Sequence, residues 1–160
     1  MIKKAPGGIK MKTLVVYYSR KGNTEKIALE KAKELEADFL AIDTIENVAG
    51  YNGFSNCVKS LISKDDMTLF PYDTDVAAYD KVIICAPIWF SKLCAPMQTF
   101  IKKEKHNIKK AEYIFVHALK TDVKAVAAET DKILRLKNDK YTSIQCMYGK
   151  IKTEEDFADV

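Results

Sequence analysis

Ser19-Arg20-Lys21-Gly22-Asn23-Thr24 sets three side-chain donors, two cations and one glycine in six consecutive positions. A dianionic phosphate asks for that combination: donors, positive charge, and a residue that lets the backbone come close. A second stretch, Pro87-Ile88-Trp89-Phe90, holds the only tryptophan of the chain beside a phenylalanine. Core aromatics elsewhere sit inside periodic segments, whereas this pair reads as part of a loop. Two rings on a loop offer a stacking surface for a flat aromatic ligand. The other reading is a hydrophobic staple that closes the loop over the core.

The elements around these residues decide whether they can act together. Thr13 to Tyr18 is an uncharged, β-branched and aromatic run, as expected of a strand buried on both faces. Ile27, Ala28, Ala32 and Leu35 then recur at helical spacing, so a helix opens near Asn23-Thr24. Strand, tight turn and helix aim free amides and the positive end of the helix dipole at one point. An ordinary capped connection has the same residues, and both readings stay open on this loop alone. The loop lacks the nucleoside-triphosphate pattern G-x-x-x-x-G-K-[ST] and the dinucleotide pattern G-x-G-x-x-G.

Further strands are expected at Asp38–Asp43, Val82–Ala86, Tyr113–Ala118 and Tyr141–Tyr148. Phe54, Val58, Leu61 and Ile62 mark a helix with Cys57 on its apolar side. Ala95-Pro96-Met97 opens another helix, with Met97, Phe100 and Ile101 inward. Thr121 or Asp122 caps a third, with Val123, Val126, Ala127, Ile133 and Leu134 inward. Lys152 to Val160 is expected to form at most two helical turns. This alternation implies an α/β fold: a doubly wound, five-stranded parallel sheet of order 2-1-3-4-5 with helices on both faces. The loops after the first and third strands then flank the switch point where ligands bind.

At 160 residues and 48% apolar composition the chain suits one domain, read as residues 11–160 behind a loose extension at 1–10. That extension has no apolar segment of the secretory kind. The formal charge is +4, and it falls to +1 without the lysines at positions 3, 4 and 10. Neither value argues for nucleic acid or an anionic membrane as partner. Val82 to Ser91, the longest uncharged apolar stretch, is too short to span a bilayer. Cys57, Cys85, Cys94 and Cys146 show no zinc spacing and read as reduced core thiols of a cytoplasmic protein.

Ser19–Thr24 after the first strand, together with Ala86-Pro87-Ile88-Trp89-Phe90 and Ala95-Pro96-Met97, resembles the flavodoxin family. The likeness runs from Met11 to about Gly149. It implies flavin mononucleotide (FMN) as cofactor, with Ser19, Arg20, Lys21, Gly22, Asn23 and Thr24 around its phosphate. Pro87, Ile88, Trp89 and Phe90 would embrace its ring system. A third flavin loop is implied at about Ala118–Asp122, with His117 either near the flavin or packed at a strand end. Three departures stand out: Lys21 replaces a hydroxyl donor, the chain is not strongly acidic, and the last helix is barely present. With one helix on that sheet face, part of the face is expected to be bare and covered by another segment or by a second subunit in a homodimer.

No Ser-His-Asp set or motif-placed carboxylate pair is present, so no catalytic side chain is assigned and no metal site is expected. The resemblance leaves two redox roles open. One is an electron-transfer flavoprotein working with a redox partner protein. The other is an FMN-dependent NAD(P)H:quinone-type reductase using a small-molecule acceptor. Arg20, Lys21 and Lys92 lean toward the reductase, because a cation near the ring stabilises its reduced anion. The short chain leans toward the carrier. A flavin-free interaction domain of the same fold is the third reading.

Overall fold

The computed structural model describes residues 9–45, 58–60, 62–63 and 66–158. The helix expected around Phe54 and Leu61, with Cys57, lies largely outside these; within it, Val58–Ser60 and Ile62–Ser63 are helical. Strands β1 (Thr13–Tyr17), β2 (Asp38–Ala41), β3 (Lys81–Trp89), β5 (Ala111–His117) and β6 (Lys140–Met147) form a parallel sheet. A two-residue strand, β4 (Lys92–Leu93), turns back on β3, and β7 (Lys150–Ala158) runs antiparallel to β6. The sheet order is β2-β1-β3-β5-β6-β7. Its five parallel strands therefore keep the expected order, and the reversal falls beside β1.

Helix α1 (Asn23–Leu35) covers one face; α2 (Ala95–Glu104) and α3 (Val123–Leu134) cover the other. The division follows the period of two along each strand. Leu14, Val16 and Tyr18 join the core under α2 and α3, while Val15 and Tyr17 join the core under α1. β3 divides likewise: Val82, Ile84 and Ala86 face one way, Ile83 and Cys85 the other. Strands buried on both faces read as continuous apolar runs, which is why their positions are legible.

Two expectations are corrected here. Lys152 to Ala158, the described part of that segment, is strand and not helix, because the chain reverses at Tyr148-Gly149 and pairs back along β6. All nine residues of β7 are exposed. Its lysines and carboxylates are solvated on both sides, so no buried face imposes an apolar period. The bare sheet face is the second correction: Ile114, Val116, Ile144 and Cys146 are all buried beneath and beside α1. The homodimer expected on that ground loses its argument. Cys85, Cys94 and Cys146 are buried and form no disulfide, as core cysteines should.

Candidate functional site

The turn after β1 is braced from within. Ser19 Oγ accepts a hydrogen bond from the Gly22 amide at 3.0 Å, leaving the hydroxyl proton able to donate elsewhere. Gly22 is the cap of α1 at φ +91°, a left-handed conformation that L side chains rarely adopt. No atom lies within 4 Å of where a Cβ would stand. Backbone shape, not crowding, demands glycine there, and the space over it is open to a ligand. No side chain caps this helix, so its first-turn amides and dipole remain suited to an anion. Thr24 is buried, and its carbonyl accepts from the Cys85 thiol at 3.8 Å, which ties the turn to β3. Burial pushes that thiol well above its ordinary pKa, so Cys85 stays protonated and serves packing.

The Trp89 stretch is not a free loop. β3 continues through Pro87 and Ile88 to Trp89, then Phe90 and Ser91 reverse the chain with φ +51° and +59°. Trp89 and Lys92 are then paired across the hairpin. Proline suits Pro87 because β1 is last paired at Cys85, so no β1 residue needs an amide at position 87. Trp89 meets Tyr18 edge-on, with ring centroids 5.7 Å apart and planes at 85°. It also packs beside Met67 and Ala95. The ring thus packs on its neighbours as the staple reading expects, and it also lines the cavity beside it.

A cavity of about 280 Å³ opens at the carboxyl edge of the sheet, where these two stretches meet. Ser19, Arg20, Lys21, Asn23 and Thr24 line it from the first turn, and Pro87, Ile88 and Trp89 from β3. Gly22 shapes the turn without lining the cavity, and Phe90 stands outside the lining, 70% exposed. The structure adds Val116 and Cys146, which sequence alone reads as core. Their only signal is position: both end strands on the edge where the turns gather.

The third loop contributes little. His117 and Ala118 line the cavity, but the rest of Ala118–Asp122 does not. His117 is packed, with Nδ1 2.8 Å from the Leu119 carbonyl and Nε2 2.9 Å from Ser143 Oγ. A carbonyl only accepts, so the partners assign a proton to Nδ1; in the neutral ring Nε2 accepts from the Ser143 hydroxyl. Asp122 is engaged as cap of α3, accepting from the Ala125 amide at 3.0 Å. Among the described residues no group of His, Cys, Asp or Glu is placed to hold a metal ion. No helix among them is long and apolar enough to cross a membrane.

In this open, doubly wound sheet the cavity lies at the switch point, beside a glycine turn and a helix opening, where α/β proteins of this topology bind ligands. A flavodoxin-domain family model matches residues 58–155, more than half of the sequence, and the chain belongs to that family. No curated protein matches it. Among solved structures it is similar to a flavoprotein in complex with FMN from Lactobacillus acidophilus NCFM. The two are 20% identical over 83% of this chain and 91% of that one, with a TM-score of 0.70. The Trp repressor binding protein of Bacillus subtilis is 15% identical over 86% of this chain and 90% of that one, TM-score 0.59. A flavodoxin, WrbA-like protein from Agrobacterium tumefaciens is 16% identical over 85% and 83%, TM-score 0.53. At these identities the likeness is one of fold.

Proposed function

We propose that this protein binds FMN in the carboxyl-edge cavity and transfers electrons through it. The observation that carries the reading is the meeting of an uncapped helix opening and the Trp89 ring in one cavity. The donors of Ser19, Asn23 and Thr24, on a turn shaped by the left-handed Gly22, fit a phosphate. Arg20 and Lys21 neutralise its charge. Pro87, Ile88 and Trp89 supply an apolar wall for a ring system, with Phe90 at the lip. The cavity sits at the small end of ligand clefts, about 300–1,000 Å³, so part of a mononucleotide stays at the mouth. Bound flavin supplies the redox chemistry; the chain's own residues bind, orient and partly shield it. That the family includes flavin proteins, and that an FMN complex shares the fold, supports the assignment.

A reductase acting on NAD(P)H and a quinone is the second reading, favoured by the Arg20 and Lys21 cations in the lining. Titration of the purified protein into FMN should quench flavin fluorescence with a dissociation constant at or below micromolar. Trp89→Ala should weaken it at least tenfold. FMN emission unchanged at tens of micromolar protein rejects the cofactor. Steady NAD(P)H oxidation in the presence of a quinone selects the reductase, and its absence selects the carrier.

A further inference from the structure

Four turns gather at the carboxyl edge of the sheet that carries the cavity: residues 18–22, 90–92, 118–122 and 148–150, of which the first and third reach its lining. They carry Arg20, Lys21, Lys92, Lys120 and Lys150 against one carboxylate, Asp122, which is engaged with the α3 amide. Two acids on the flanking helices are engaged as well. Glu129 on α3 lies 3.8 Å from Lys92, and Glu25 on α1 accepts from the Tyr17 hydroxyl at 3.2 Å. With Lys92 offset by Glu129, five cations stand against three carboxylates, and the excess charge is positive.

Three of the same turns also raise large apolar side chains into solvent. Phe90 is 70% exposed, Leu119 77% and Tyr148 96%. Each is tied to the cavity: Phe90 follows Trp89, Leu119 follows Ala118, and Tyr148 precedes Gly149. A Cβ on Gly149 would stand 3.8 Å from Asn23 Oδ1. Phe90 and Tyr148 both sit at the first position of a two-residue hairpin turn, at φ +51° and +52°. Bulky aromatics are seldom held in this left-handed conformation. The Tyr148 ring is not repaid by burial, being almost fully exposed.

From this we infer that the cavity mouth docks an acidic redox protein, with Leu119 and Tyr148 as apolar anchors amid the lysines. A nucleotide substrate would use cavity walls, whereas these side chains stand outside the lining, as interface anchors do. Opposite charge steers the encounter and selects against basic partners. The redox role rests on the FMN reading. In it, one electron passes from the partner's reduced centre to the bound cofactor, and no covalent bond forms or breaks.

The test uses an acidic plant-type two-iron ferredoxin as probe and basic cytochrome c as control, each fluorescently labelled. Anisotropy is followed during titration with FMN-loaded and FMN-free protein at 20 and 200 mM salt, on the order of the range over which screening sets in. Expected is micromolar binding of the ferredoxin at low salt, at least tenfold weaker at high salt, with no binding of cytochrome c. Lys120→Glu combined with Lys150→Glu should weaken ferredoxin binding at least tenfold, and Leu119→Ser with Tyr148→Ser at least fivefold. FMN affinity should stay within twofold in both variants, which also shows that they fold. Absent ferredoxin binding, equal binding of cytochrome c, or affinity unchanged in the charge-reversed variant overturns the docking surface. Failure of the parent protein to bind FMN overturns the cofactor instead, and the anisotropy of the FMN-free protein then decides docking by the same criteria.

Discussion

The β1–α1 and β5–α3 crossings leave the same edge of the sheet on opposite faces, and they finish their helix openings in opposite ways. α3 begins at Asp122, whose carboxylate takes the Ala125 amide. α1 begins at a left-handed glycine with no side-chain cap. One opening is capped by its own carboxylate; the other leaves its amides without a side-chain cap beside a cavity. The β5–α3 unit is further closed by Asp131, which accepts from the Tyr113 hydroxyl at 2.7 Å and from the Asn138 amides at 3.0–3.1 Å. A helix opening thus points to a site only where its cap is missing and the space beside it is open.

The largest test of this contrast is a charge in the open turn. Asn23→Asp keeps the shape and sets a carboxylate where the proposed phosphate lies. FMN affinity, read by fluorescence quenching, should fall about 100-fold, equivalent to ~2.7 kcal/mol. Thr24→Val removes a hydroxyl from the same wall and should cost roughly tenfold or more, since a bond to a charged group contributes about 1.5–3 kcal/mol. Affinities within twofold of the parent in both variants would erase the distinction between the two openings.

Breaking the closed unit should instead alter stability. Tyr113→Phe removes a hydrogen bond to a carboxylate and should cost about 1.5–3 kcal/mol in urea unfolding, with FMN affinity unchanged. Burial, and then the bond to Asp131, raise the Tyr113 phenol above its ordinary pKa of 10.0. Because the folded state holds the proton more tightly, this contribution is complete below pH 10.0 and is lost as pH rises beyond it. Tyr72 is raised in the same direction by burial and by Glu104. Stability should therefore decline above pH 10.0 in the parent and decline less steeply in Tyr113→Phe. Equal slopes would contradict the assignment.

Asp122→Ala should cost about 1 kcal/mol, the usual value of a lost N-cap, again without change in FMN affinity. A loss of FMN binding in this variant would mean that the β5–α3 turn is ligand machinery after all.

How much of this is legible in the sequence follows from burial. β1, β3 and β5 announce themselves because both faces are packed, and the helix after Asn23 shows its period through Ala28 and Ala32, buried under the sheet. The first turn is legible because glycine, hydroxyl and amide side chains have few reasons to cluster otherwise. β7 is not, since Lys150, Lys152, Glu154, Glu155 and Asp156 carry no face-to-face contrast on an exposed edge. Trp89 reads as a loop residue because Pro87 looks like a strand breaker, and only the sheet shows β1 no longer paired beside it. Which helix opening is empty can be half seen: Asp122 is a strong cap residue, while Gly22 leaves the question to geometry.

The smallest effect distinguishes the two turns most directly. Thr121 Oγ1, in the β5–α3 turn, is buried without a hydrogen-bond partner. An unmade bond costs its desolvation, on the order of 1–3 kcal/mol, so Thr121→Val should leave stability unchanged or raise it by up to ~1 kcal/mol. If a ligand group normally meets that hydroxyl, the same variant must weaken FMN binding, as Thr24→Val should in the first turn. A higher melting temperature with FMN affinity within twofold assigns Thr121 to packing and leaves only Ala118 of the expected third loop facing the cavity. A tenfold loss of affinity would instead restore the loop to the site and make the orphaned hydroxyl its anchor.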